Sequence, residues 1–185
     1  VVATTNCFLI RRGLSKMSNV HRLKDTDKIF FITTNLIWGT AELVESEFEM
    51  LLQVFSESRN RLGFVLLGYV FMPDHFHALL WPRHPLTISR VLQDIKYCSS
   101  RNLNRVRGTA GTVWQHQFSD RFVRDAEEFQ QRLEYMHYNP VRKGLVANPE
   151  EWRWSSYNNF ALEPEIVTQC PIQIDYVHLP DNYRV

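Results

Sequence analysis

Apolar and polar positions in this chain switch between two periods, and the switches mark its elements. Residues 28–34 carry Ile29, Phe30, Phe31 and Ile32 in one short run, which predicts a strand. Residues 41–60 then place Leu43, Val44, Phe48, Leu51, Leu52 and Phe55 at spacings that form one stripe of a helix. Two strands are expected over 65–71 and 75–81, joined by Met72, Pro73 and Asp74, a link short enough for a hairpin. Residues 86–106 return to the helical period with Ile88, Val91, Leu92 and Ile95, and 113–123 contains a further strand. A last helix over 125–138 has Phe129, Leu133 and Met136 as its stripe, Asp125 as its N-cap, and Glu127 and Glu128 in the first turn. Pro140 is expected to stop that helix and to bias Asn139 out of it. The order β-α-β-β-α-β is the split βαβ arrangement. The fold class is therefore α+β, ferredoxin-like: an antiparallel sheet with helices on one face, plus a C-terminal helix carrying Tyr135.

The strand over 75–81 opens with His75-Phe76-His77. Residues i and i+2 of a strand share a face, so both imidazoles aim at one spot while Phe76 and Leu80 turn to the opposite face and a core. Two imidazoles held by a rigid strand suit a divalent metal, and a hydrogen-bonded surface pair is the plainer alternative. Asp74 has the opposite parity, which favours a turn or structural role.

The last predicted helix offers a second constellation. Tyr135 and Asn139 are four apart and lie close to one face near its end. Such a face presents a phenol as nucleophile and a carboxamide oxygen as a third metal ligand; the alternative is a half-buried tyrosine followed by a C-capping asparagine. Tyr138 is the rival nucleophile, at the fraying end before Pro140. His137 points away from the Tyr135 face, so a structural or DNA contact suits it better than ligation. Cys7, Cys98 and Cys170 are isolated, with no zinc-like pairing.

Together these segments resemble the single-tyrosine transposases with a His-hydrophobic-His motif, and within them the REP-associated branch. The resemblance is carried by residues 27–35 (Asp-Lys-Ile-Phe-Phe-Ile-Thr-Thr-Asn) and 72–80 (Met-Pro-Asp-His-Phe-His-Ala-Leu-Leu). It continues in Trp114-Gln115, in 120–125 (Asp-Arg-Phe-Val-Arg-Asp), in 135–146 (Tyr-Met-His-Tyr-Asn-Pro-Val-Arg-Lys-Gly-Leu-Val) and in 152–157 (Trp-Arg-Trp-Ser-Ser-Tyr). Lys143 departs from the pattern, where a small residue is common, and a segment is added at each end. The resemblance implies Tyr135 as catalytic nucleophile and His75, His77 and Asn139 as ligands of Mg²⁺ or Mn²⁺. It implies cleavage and strand transfer of single-stranded or hairpin repeat DNA through a 5′-phosphotyrosine, by a monomer or homodimer.

Composition adds limits. The 185 residues, 44% of them hydrophobic, suit one domain with an adequate core. No long uncharged apolar run is present, so no membrane span is expected, and three unpatterned cysteines suit the cytoplasm. Residues 1–16 read as an N-terminal extension, with Met17 as the expected native start, 17–160 as a single catalytic domain and 161–185 as a tail that either folds back or contacts DNA. Net charge is only +1, so its distribution matters more than its sum. Arg90, Lys96, Arg101, Arg105 and Arg107 form a basic outer face on the second helix, suited to phosphates or simply to solvent. Arg121, Arg124, Arg142 and Lys143 are further candidate DNA contacts. The competing function is a noncatalytic nucleic-acid-binding module, because the same element order suits RNA-binding sheets with exposed aromatics.

Overall fold

A computed structural model describes residues 20–22, 28–161 and 163–179; the expected extension 1–16 and Met17 lie outside the described residues. A short strand β1 (Val20–Arg22) precedes β2 (Phe30–Asn35), α1 (Glu45–Leu62), β3 (Val65–Phe71), β4 (His75–Trp81), α2 (Ile88–Arg107), β5 (Ser119–Phe122) and α3 (Ala126–His137). β2, β3, β4 and β5 form an antiparallel sheet in the order β3-β4-β2-β5, which is the ferredoxin-like arrangement.

α1 starts four residues later than its apolar stripe suggests. Residues 41–43 are held beside the β3–β4 turn instead, with Leu43 N–H donating to the Pro73 carbonyl at 2.8 Å. The Glu47 carboxylate then accepts from Val44 N–H at 3.0 Å and closes the first turn. β5 is shorter than the stretch expected to hold it, because only residues 119–122 pair with β2.

The two faces of the sheet bury two different cores. Ile32, Phe76, Ala78 and Leu80 pack with Phe48, Leu51 and Phe55 of α1 and with Val91, Leu92 and Ile95 of α2. Phe31, Val70, Leu79 and Trp81 pack on the opposite side with Leu133 and Met136 of α3. Strand alternation separates the sets, so His75 and His77 fall on the α3 side with Leu79. Fully burying one such aliphatic or aromatic side chain contributes about 1.5–3 kcal/mol.

A β-bulge between Leu66 and Gly68 brings Gly68 beneath α3. A methyl group there would run into Met136 Cε and come within 3.0 Å of Leu133 Cδ1. Glycine therefore sets how closely α3 approaches the sheet.

α3 ends at His137, ahead of Pro140 as expected, but Asn139 is not turned out of helical conformation. After α3 the chain makes a further turn, α4 (Asn139–Arg142), with Tyr138 still in the right-handed helical region. Proline is tolerated in the first turn of a helix, where its missing N–H has no intrahelical partner to lose. Asn139 is thus the first residue of a new turn and not a C-cap outside the helix.

The chain then runs back along β3. Phe71 N–H donates to the Trp154 carbonyl and Ser156 N–H to the Tyr69 carbonyl, both at 2.9 Å. Past α5 (Pro164–Thr168), Ile172 and Ile174 join the α1–α2 core. The Asp175 carboxylate accepts from Leu66 N–H at 3.0 Å and from Arg59 Nη2 at 2.5 Å. β6 (Tyr176–His178) finally pairs in parallel with β1. The described part of the tail folds back on the body.

Candidate active site between the sheet and α3

His75 and His77 point their Nε2 atoms at each other, 3.2 Å apart, and both side chains are buried. Their other ring nitrogens are engaged. His75 Nδ1 lies 2.5 Å from Asp74 Oδ1, and His77 Nδ1 lies 2.8 Å from Thr33 Oγ1. Asp74 thus orients an imidazole, a contact that its opposite strand parity did not foretell. Burial, and then the neighbouring His75, push the His77 pKa down to about 3, so its ring is neutral at ordinary pH. Burial pushes the Asp74 carboxyl up, but the hydrogen bond and charge of His75 outweigh it and hold the group below its usual value.

When His75 is neutral, with Nδ1–H donating to Asp74, its Nε2 carries a lone pair. If Thr33 accepts from His77 in the same way, both lone pairs face one point, the arrangement that a cation relieves. Two neighbouring ligands of one small divalent ion lie about 3 Å apart, close to the separation seen here. The Asn139 carboxamide completes the group, with Nδ2 3.1 Å from His77 Nε2, and a half-turn of that amide exchanges nitrogen for oxygen. Among the described residues no group of three or more His, Cys, Asp or Glu side chains gathers to hold a metal. The Asn139 carboxamide is the candidate third donor for this pair.

Tyr135 packs against His77. Its ring meets His77 edge-on with centroids 5.5 Å apart and Phe31 at 6.2 Å, and 41% of its surface is exposed. Asp125 starts the helix that carries it, its Oδ1 accepting from Glu128 N–H at 2.8 Å. Tyr138 is equally exposed, but no ring contact joins it to the histidines. His137 turns inward and bonds Ser156 Oγ at 2.8 Å, and burial pushes its pKa down to about 3.

The basic candidates separate by location. Arg142 lies over the Tyr135 ring, 5.2 Å from its centroid, and Lys143 is close enough to Asp74 to act on its charge. Arg121 pairs with Phe31 in the sheet and shares its face. Arg124 is tied to Glu128. Arg90, Arg101 and Arg105 belong to α2, on the far side of the sheet from the histidines. Two α2 residues are committed to the protein itself. Arg107 makes a two-pronged pair with buried Glu47 at 2.6 and 2.7 Å, and Lys96 donates to the carbonyls of Gln115 and His116.

Thr33 and Arg132 join the site without having stood out in the sequence. Arg132 caps the Phe31 ring at 5.4 Å, and Phe31 in turn stacks on His77 at 5.2 Å. Thr33 was legible through strand parity once the β2–β4 register is known; Arg132, three before Tyr135, was legible from helical spacing.

Comparison with known proteins bears on the family and the fold. The chain is 23% identical over 144 residues to the REP-associated tyrosine transposase of Escherichia coli K12, covering 77% of this chain and 84% of that protein. A Haemophilus influenzae protein assigned to the same type is 24% identical over 152 residues, with 77% and 86% covered. The fold is similar to that of a REP-associated tyrosine transposase solved bound to a REP hairpin, with TM-score 0.64 and 20% identity over 91% of this chain and 98% of that one. The sequence pattern of the IS200-like transposases matches residues 40–139, more than half of the 185, and the chain belongs to that family of enzymes.

Proposed function

We propose that this transposase cleaves and rejoins single-stranded DNA beside a hairpin-forming repeat, with Tyr135 as nucleophile and His75, His77 and Asn139 as holders of Mg²⁺ or Mn²⁺. The observation that carries the reading is the convergence of two imidazole Nε2 atoms and a carboxamide beside an exposed phenol. When bound, the metal supplies positive charge to the non-bridging oxygens of the scissile phosphate. The Tyr135 oxygen attacks phosphorus and loses its proton, and the 3′-oxygen of the preceding nucleotide departs and gains one. The products are a 5′-phosphotyrosine and a free 3′-hydroxyl. Attack by a 3′-hydroxyl reverses the step and transfers the strand without an external energy source. Arg142 steadies the Tyr135 ring and offers its guanidinium to the phosphate. Arg121 and Lys143 lie on the same side and extend the positive surface; Arg90, Arg101 and Arg105 would meet DNA only where it wraps to α2.

The binding-module reading needs an open sheet with stacking aromatics. Here one face is buried under α1 and α2 and the other under α3, which disfavours it. The test is to incubate the protein with single-stranded oligonucleotides from its own gene flanks and Mg²⁺ or Mn²⁺, then look by gel and mass spectrometry for a covalent adduct. An EDTA-sensitive adduct on wild type and Tyr138→Phe, absent from Tyr135→Phe, is expected. Tight hairpin binding without any adduct, unaffected by EDTA, would refute it.

A further inference from the structure

Trp38 is 96% exposed, the other extreme from Trp81, Trp114 and Trp154, which are buried. An indole fully in water forgoes the burial that normally holds tryptophan, so its position calls for a reason. The segment that carries it is firmly held. Thr40 N–H donates to the Ile37 carbonyl at 3.0 Å across a tight turn, and Gly39 takes φ 83° at the position that requires it. Leu36 N–H is tied to the Asp74 carbonyl at 2.8 Å and Ile37 N–H to that of Val113 at 2.9 Å.

This anchored turn sits at the histidine end of the sheet. Asn35 is paired with His75, and Trp38 lies three residues further on, at most about 11 Å along the chain. Beside it a cleft of about 560 Å³ is lined by Gly39, Thr40, Asn104, Thr109 and Thr112, with Glu42 and the Glu47–Arg107 pair in its wall. Ala41, Val44, Ala110 and Val113 supply apolar lining, and Thr40 and Thr112 supply hydroxyls. The Asn104 amide is engaged by Gly111 and Thr109, and Arg107 is matched by a carboxylate. A mixed apolar and hydroxyl lining with carboxylates in its wall suits an uncharged, flat ring better than a phosphate.

We infer that Trp38 is the stacking platform for an unpaired base of the DNA strand, one or two nucleotides from the scissile phosphate, and that the neighbouring cleft receives the edge of that base. The inference rests on the single-strand DNA reading above and adds a residue that positions the strand as it leaves the histidine pair. Base stacking on an exposed aromatic tolerates any sequence, because every base has a π-face.

The test uses the full chain and a synthetic DNA hairpin with short oligo(dT) arms, against the same hairpin without arms. Trp38→Ala is expected to weaken binding of the armed hairpin about 5- to 150-fold, leave the blunt hairpin unchanged, and be partly rescued by Trp38→Phe. An abasic site at one arm position should weaken wild type equally and add nothing in Trp38→Ala. Equal binding of the armed hairpin by wild type and Trp38→Ala, or an equal loss on both hairpins, overturns the inference. The Tyr135 adduct assay run alongside separates the two readings. Adduct formation with no Trp38 effect refutes the platform alone; no DNA binding and no adduct refutes both.

Discussion

The Asn139 carboxamide lies 3.1 Å from His77 Nε2, although 62 positions separate the two residues. That contact exists because β4 and the α3–α4 junction meet over one face of the sheet. Thr33, across the strand pair, holds the other nitrogen of the same ring. Replacing Thr33 by Val keeps the shape and removes that partner, so Mn²⁺ affinity should fall about 10- to 100-fold, read by calorimetry. An unchanged affinity would mean that Thr33 does not orient the ring.

Gly68 governs how far α3 stands from the sheet. Gly68→Val forces Met136 and Leu133 to move in a buried layer, and the expected cost is about 1–3 kcal/mol in urea unfolding. Adduct formation should drop by more than the loss of folded protein explains, because Tyr135 rides on the displaced helix. Full activity in the folded fraction would show that the spacing is not critical.

Arg107 was a candidate DNA contact by sequence, yet it clamps Glu47 at the start of α1. The Arg107 hydrogen bond holds the Glu47 carboxyl below its usual range. Arg107→Ala strands that carboxylate and should cost about 2–3 kcal/mol, less than a fully buried pair because water reaches the guanidinium. Per folded molecule, affinity for a hairpin without single-stranded arms should stay unchanged; a loss in a stable variant would return Arg107 to the DNA surface.

His137 binds its proton far less readily in the folded chain than in the unfolded one, where its pKa is near 6.5. Above that value it is neutral in both states and costs nothing. As pH falls from 6.5 towards 3 the unfolded state gains a proton that the folded state lacks, so stability falls, by up to about 1.4 kcal/mol per pH unit for this group. Urea midpoints between pH 7.5 and 5 should therefore decline more steeply in wild type than in His137→Gln. Equal slopes would show that His137 does not carry the effect.

Much of the framework was legible in the chain. β3 and β4 formed at the expected bounds because continuous apolar runs, punctuated by Pro73 and Asp74, leave little alternative. Parity alone put His75 and His77 on one face and Phe76 on the other, since a strand has no other way to dispose neighbours. Helical spacing likewise brought Tyr135 and Asn139 to one side. α3 does stop ahead of Pro140, but the pattern missed the short helical turn that begins at Asn139. Proline breaks a helix only where an N–H is needed, and the first turn needs none.

Local periodicity determined which residues share a face, and it did so without reference to the rest of the molecule. It could not determine which face meets which. The bulge at Leu67, the close approach at Gly68 and the register of Thr33 with His77 arise from contacts between segments far apart in sequence. Only those contacts bring the Tyr135 ring of α3 against the His77 imidazole of β4, tie Arg107 and Lys96 to protein partners, and leave Trp38 in water.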